Sequence, residues 1–187
     1  FNAIQLLPHT EFGGAWGYNP RLMHAVHGPY GDPWEFAELV EAAHKRGVSV
    51  LVDVALHHGA ANGNSLWEFD GWSGEGDGGI YFERAGDTGW GQGFAFWKAE
   101  VQEYLAATMD TWLGEYNCDG VRIDSAHSMP PDFVRKVTGR AKERYPDRFV
   151  IVEHSPEGPH VPGELGADAC WLFSSCEDCA GMTNYWK

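Results

Sequence analysis

Two carboxylates, Asp124 and Glu153, each close a short apolar run: CDGVRID at 118–124 and FVIVE at 149–153. In an extended strand alternate side chains face opposite ways, so Val121 and Ile123 share one face while Arg122 and Asp124 share the other. Two charges on one face of an inner strand are costly unless that face lines a site. Paired carboxylates at the ends of neighbouring strands suit glycosidic chemistry. One acts as nucleophile and the other as acid and then base, about 5–5.5 Å apart in retaining enzymes. Their protonation must differ. Arg122 is expected to hold Asp124 ionised by charge and hydrogen bonding. Glu153 has no cation beside it in sequence except His154 and follows an apolar run, conditions that raise a carboxyl toward a useful acid. The plainer reading of Arg122 with Asp124 is a buried salt bridge that orients strands. For Glu153 alone, a structural carboxylate is an equal reading.

These residues need strands to present them. The apolar run 1–7, stopped by Pro8, predicts a buried strand. Residues 9–30, rich in Gly, Pro and aromatics and carrying WGYNP at 16–20, predict an irregular loop, either packed on the surface or forming an aromatic platform at the mouth of a site. Asp32 and Pro33 then open a helix as N-cap and first-turn proline. Phe36, Leu39, Val40 and Ala43 fall on one face of it, and Lys45, Arg46 and Gly47 stop it. The strand 48–56 follows, interrupted by Asp53 and ended by His57 and His58. Residues 59–97 form a long inserted loop, a length usually kept for function. A helix over 98–116 carries Val101, Tyr104, Leu105, Met109, Trp112 and Leu113 as a core stripe. After CDGVRID come a helix over 131–144, ended by Tyr145 and Pro146, the strand 149–153 and a weaker strand at 167–173.

Strand and helix alternate in steps of about 30 residues, the period of βα units in a parallel sheet. No GxGxxG or GxxxxGK[ST] follows any strand, so the nucleotide-binding open sheets lose their main support. Asp53 with His58, Arg122 with Asp124, and Glu153 all stand at the C-terminal ends of successive strands. That is where a (β/α)8 enzyme keeps its chemistry, and the expected fold is an α/β partial TIM barrel.

The 187 residues are 43% hydrophobic and 21% charged, an ordinary soluble composition, with a formal net charge of −14. That charge argues against nucleic acid and anionic membrane surfaces and says nothing against a neutral ligand. No apolar run approaches the ~20 residues of a membrane span. Of the cysteines, Cys118, Cys170, Cys176 and Cys179, the last two could start a zinc site only with Cys170 and distant histidines to help. Metal is therefore set aside, and free thiols suit a reducing cytoplasm. His57 and His58 are adjacent and should point to opposite faces, which favours one ligand-facing histidine over a metal pair. Trp67, Trp72 and Trp90 are candidates either to stack on sugar rings or to pack the long loop. Phe1 stands directly inside a strand pattern, so the protein is expected to begin upstream.

GVSVLVDVALHH at 47–58, CDGVRIDSAHSM at 118–129 and VIVEH at 150–154 resemble, in order, the first three conserved regions of the α-amylase family, glycoside hydrolase family 13. WGYNP resembles that family's loop after the second barrel strand. WEFDGW, GGIYF, EVQEYL and WLGEYNCDGVRID are similar to its glucan-branching members. The resemblance implies strands two to six of the barrel, an incomplete catalytic domain with its long loop after the third strand. It implies Asp124 as nucleophile and Glu153 as general acid/base, with Arg122 as the nucleophile's partner. His58 would donate a hydrogen bond to the sugar, Tyr18 would stack beneath it, and Asp53 would order the site. No cofactor is implied, and His57 replaces the calcium-binding asparagine of many amylases. His127 and Ser128 stand where amylases have lysine and histidine, which favours branching. No HD pair follows Glu153, and Asp168, Glu177 and Asp178 receive no role. The implied activity is retaining chemistry on α-glucans in starch or glycogen metabolism, with transfer to a 6-hydroxyl favoured and α-1,4 hydrolysis as the alternative. Its partners would be an α-glucan and the rest of a parent enzyme. The rival of another class is an inactive truncated or glucan-binding module.

Overall fold

The computed structural model describes residues 1–71, 78–82 and 84–172. Trp72, Cys176, Cys179, Glu177 and Asp178 lie outside them. The chain begins with β1 (Ala3–Leu6). The segment predicted as an irregular loop is instead a hairpin of β2 (Thr10–Phe12) and β3 (Pro20–Val26), paired antiparallel. Its register shifts on both sides of Glu11, and such bulges erase the two-residue alternation by which strands are read. Helix α1 (Pro33–His44) starts as expected. The Asp32 carboxylate accepts from the Trp34 and Glu35 amides while Glu35 accepts from the Asp32 amide, a closed capping box. Phe36 and Val40 are buried, but Leu39 is 44% exposed, so the inward stripe is narrower than predicted.

Strand β4 (Ser49–Val54) leads to the short β5 (His58–Gly59). The long loop contains α2 (Gly79–Phe82) and β6 (Gln92–Gly93), which pairs with β5. Leu66, Phe82, Phe94 and Ala95 bury it against the core. Helix α3 (Ala99–Ala106) is shorter than the predicted 98–116, and the chain continues as a π-helical turn over Asp110–Glu115. Met109, Trp112 and Leu113 are buried all the same. The wide turn brings Asp110 to Arg140, Arg144 and Tyr145, a polar anchor that a hydrophobic stripe does not announce. Then come β7 (Gly120–Ile123), α4 (Pro131–Arg144), β8 (Phe149–Val152), α5 (Val161–Leu165) and β9 (Ala169–Cys170).

The main sheet has the order β1-β4-β7-β8-β9, every pair parallel. Each new strand joins beside the last with no reversal of direction, the winding of a barrel and not of a doubly wound sheet. Val50, Val52, Val54, Val121, Ile123, Val150 and Val152 face the helices and pack on Phe36, Val40, Leu105, Trp112, Phe133 and Val137. The other face carries Leu51, Asp53, Arg122 and Ile151. Strand β1 was expected to be buried and is exposed, because among the described residues it is an edge strand whose only neighbour is β4. Among the described residues Cys118 and Cys170 are free thiols, no helix is long and apolar enough to cross a membrane, and no three metal-ligating side chains group together.

One device recurs at the N-terminal edge of the sheet. Asp119, just before β7, accepts from the Val50 amide at 2.8 Å, from His44 Nε2 at 2.7 Å and from Arg148 Nη1 at 3.0 Å. Asp168, just before β9, accepts from the Val150 amide at 2.8 Å and from Lys142 Nζ at 2.9 Å. Each aspartate ties its own strand to the preceding one and to a basic side chain, which pins the register. Asp119→Ala should cost about 1.5–3 kcal/mol, the range for hydrogen bonds to a charged group. A urea midpoint equal to that of the parent protein would show that the clasp is dispensable.

Candidate active site

The sheet register assembles the charged residues. Asp53 lies level with Arg122, and Arg122 with Ile151. The ladder continues past the strands, with the Asp124 amide donating to Val54 O and the Glu153 amide to Ile123 O, each at 2.9 Å. Two residues beyond Arg122 and Ile151, Asp124 is therefore level with Glu153. Alternation sends Asp53, Arg122, Asp124 and Glu153 to one face at the C-terminal ends of their strands.

There they share one guanidinium. Arg122 Nη1 donates to both oxygens of Asp53, at 2.9 and 2.8 Å, and to Asp124 Oδ1 at 2.6 Å. Its Nη2 is ion-paired with Glu153 Oε2 at 2.9 Å. Asp53 also accepts from the Tyr18 hydroxyl at 2.7 Å. The four charged side chains are buried or nearly so, with Arg122 at 2% and Asp53 at 1% exposure. Arg122, Asp124 and Glu153 line a cleft of about 330 Å³ that Tyr18, His58, Trp90, Ser125 and Trp171 complete, and Asp53 lies behind Arg122.

Three carboxylates around one cation cannot all be ionised cheaply. Burial pushes the Asp124 carboxyl up to about 7, with Asp53 and Glu153 adding to the rise and Arg122 opposing it. Asp53 is raised as well, by burial first, against the pull of Arg122 and Tyr18. For Arg122 burial alone would act downward, but the three carboxylates reverse it and raise the guanidinium further. Burial and the Asp53 charge also raise the Tyr18 phenol, which keeps it a donor. The expected division, with Asp124 ionised by a private arginine and Glu153 lacking a cation, does not hold. Arg122 serves both, and the proton belongs to the cluster.

His58 departs from its expected use. Its Nε2 lies 2.9 Å from the Tyr18 carbonyl, which can only accept, so Nε2 carries the hydrogen. Burial, then His57, lowers its pKa, and the neutral ring leaves Nδ1 bare, 3.3 Å from His57 Nδ1, which donates to it. Neither ring nitrogen is left to donate to a sugar. The two histidines do line different clefts, as adjacent residues should, yet they meet edge to face.

Two residues of the site escaped sequence reasoning. Trp171 lies with its ring 3.9 Å from Arg122 Cζ, covering the guanidinium. The signal was its place one residue beyond β9, level with Glu153, but the weakness of that strand hid it. Ser125 contributes its backbone amide, which donates to Glu153 Oε2 at 2.7 Å from a left-handed conformation at φ 46°, ψ 42°. No side-chain pattern could have revealed it. Of the tryptophan candidates, Trp90 lines this cleft and Trp67 lines another beside it.

No family model matches the sequence. The chain is 31% identical over 183 residues to the malto-oligosyltrehalose trehalohydrolase of Saccharolobus solfataricus, covering 91% of this chain and 31% of that protein. It is 31% identical over 221 residues to the 1,4-alpha-glucan branching enzyme GlgB of Synechococcus sp., covering 100% of this chain and 28% of that enzyme. It thus spans about a third of the length of these curated relatives. Among solved structures, the α-amylase of Anoxybacillus superposes with a TM-score of 0.81 at 24% identity over 97% of this chain and 43% of that one. A putative α-amylase from Salmonella typhimurium superposes with a TM-score of 0.70 at 30% identity over 81% of this chain and 26% of that one.

The raised Asp124 carboxyl has a consequence for stability. Below about pH 4 the group is protonated in folded and unfolded states alike. As pH rises toward 7 the unfolded state sheds its proton first, so stability falls across that window and stays lower above it. Asp124→Asn, which keeps the shape of the protonated acid, should melt with the parent protein near about pH 3.5. At about pH 8 it should be more stable by of order 2 kcal/mol, read as a higher Tm. Coincident melting curves at the higher pH would refute the raised carboxyl.

Proposed function

Because the chain belongs to the α-amylase family, we propose that its cleft cleaves α-1,4-glucosidic bonds with retention and passes the cleaved glucan to a 6-hydroxyl of another chain. Residues 1–187, with 59–97 as the inserted loop, would then be part of a catalytic barrel. The observation that carries this reading is the single Arg122 guanidinium bonded to Asp53, Asp124 and Glu153 at the floor of one cleft.

The bonding pattern separates the roles. Asp124 uses Oδ1 on Arg122, and its Oδ2 has no hydrogen bond to a described residue. Oδ2 is the nucleophile toward the anomeric carbon. Glu153 uses Oε2 on Ser125 and Arg122, and its Oε1 is equally without a partner among the described residues. Oε1 carries the proton to the leaving oxygen and later takes one from the acceptor hydroxyl. The shared guanidinium holds the pair close, as the about 5–5.5 Å spacing of retaining enzymes requires. Asp124 must shed the proton that burial favours on it before Oδ2 can attack. Asp53 orders Arg122 and Tyr18, Tyr18 presents its ring to the sugar, and His58 anchors the Tyr18 backbone in place of donating to the ligand.

Branching is favoured by the small Ser128 and by His127 after the nucleophile, and by the similarity of the whole chain to a branching enzyme. Hydrolysis is the second reading, supported by the equally similar trehalohydrolase. Incubation of the protein with amylose separates them. Branching shifts the iodine absorbance with little gain in reducing ends, and hydrolysis yields new reducing ends. No change in either would leave a noncatalytic glucan-binding module. Glu153→Gln should lower turnover by about 10²–10⁴-fold, the usual contribution of a general acid/base. Asp124→Asn should abolish a trapped covalent glycosyl intermediate, and turnover retained in that variant would overturn the assignment.

A further inference from the structure

Beside the catalytic cleft runs a second trough, and its chemistry points to a ligand. One part, about 220 Å³, is lined by Gly13, Asn19, Arg21 and Asn62. The other, about 310 Å³, is lined by Asn62, Asn64, Trp67 and Gln92. Ala60 and Ala61 belong to both, so the two are continuous.

Arg21 is the unexplained residue. It makes no hydrogen bond or ion pair with any described residue, and its Nε is buried without a partner. In this respect it differs from Arg122, Arg135, Arg140, Arg144 and Arg148, each of which is paired with a carboxylate. Its seat is made by missing side chains. A Cβ on Gly13 would lie 2.9 Å from both Nε and Nη2, and a Cβ on Gly63 would lie 3.0 Å from Nη2. Asn64 adds a second orphan. Its Oδ1 accepts from the Leu66 amide, while its Nδ2 is buried without a partner.

The trough is built from the same segments as the cleft. Tyr18 lines the cleft and Asn19 the trough. His58 lines the cleft and Ala60 the trough. Trp90 lines the cleft and Gln92 the trough. The Ala60 amide donates to Pro20 O at 2.8 Å, and β5 pairs with β6, so the wall between them is one hydrogen-bonded unit. A ligand that crosses this wall lies in both.

We infer that the Arg21 trough binds a neutral stretch of α-glucan remote from the bond being cleaved. A forked donor flanked by the amides of Asn19, Asn62, Asn64 and Gln92, with an indole nearby, matches the paired hydroxyls and apolar faces of successive glucose rings. A phosphate or other anion fits less well, since Arg21 is the one cation lining the trough among the described residues and the protein's field repels negative ligands. The inference rests on the α-glucan reading of the catalytic cleft and extends it to the long-chain substrate.

The test is calorimetric titration of the full chain carrying Asp124→Asn, so that ligand is not consumed, with maltose, maltoheptaose and inorganic phosphate as probes. Two further variants are compared in that background. Arg21→Met removes the fork, and Asn62→Glu, at an exposed position, supplies Arg21 with an internal partner without disturbing the core. Both should bind maltoheptaose about tenfold more weakly and leave maltose binding unchanged. Unchanged maltoheptaose affinity in both variants would overturn the trough while leaving the catalytic reading intact. Phosphate binding that Arg21→Met abolishes, with maltoheptaose unaffected, would make this an anion site and also overturn it. Binding of neither sugar before the trough is altered would bring down the glucan reading together with this inference.

Discussion

The structure depends on one guanidinium that holds three carboxylates. Arg122 is 2% exposed and is covered by the Trp171 ring on one face. A buried cation without partners would cost several kcal/mol, and three buried carboxylates without a cation would cost more. Neither half is tolerable alone, so the set is built together or not at all. Even complete, it carries more negative than positive charge, and that imbalance keeps a proton in the cluster near neutral pH.

Such a cluster weakens the fold that carries it, and the structure concentrates its compensation elsewhere. At the C-terminal edge of the sheet lie the crowded charges and the left-handed Ser125. At the opposite edge, Asp119 and Asp168 each fasten a strand to its neighbour and to a basic side chain. Between the two edges runs an apolar layer of Val50, Val52, Val121, Ile123, Val150 and Val152 with no measurable exposure. This is the barrel division of labour, with chemistry at one end of the strands and stability at the other. Here the same residue type serves both ends. An aspartate that accepts an amide and pairs with a half-buried base stabilises, and an aspartate buried among like charges does not.

The loops show the same economy. The hairpin and the β5–β6 pair form one wall, and neighbouring residues along it line the catalytic cleft and the trough that holds Arg21. Placing both surfaces on one hydrogen-bonded wall fixes their separation without a further domain.

Much was legible from local pattern. The capping residues Asp32 and Pro33, the helix over 131–144, the alternation of CDGVRID and the carboxylates at strand ends all follow from rules that act within a few residues. Where tertiary packing outweighs such rules, the reading failed. The bulged hairpin had no clean alternation, β1 was apolar yet exposed at an edge, and a π turn replaced regular helix where Asp110 had partners to meet. The sequence by itself determined which side chains share a face of each strand, because that is a matter of two-residue periodicity. Only the tertiary structure decided how one charge is divided among Asp53, Asp124 and Glu153, which nitrogen of His58 carries the hydrogen, and that Trp171 covers Arg122. Those outcomes depend on the register between strands far apart in the chain, and the electrostatics of a buried group are set by whatever that register brings within hydrogen-bonding distance.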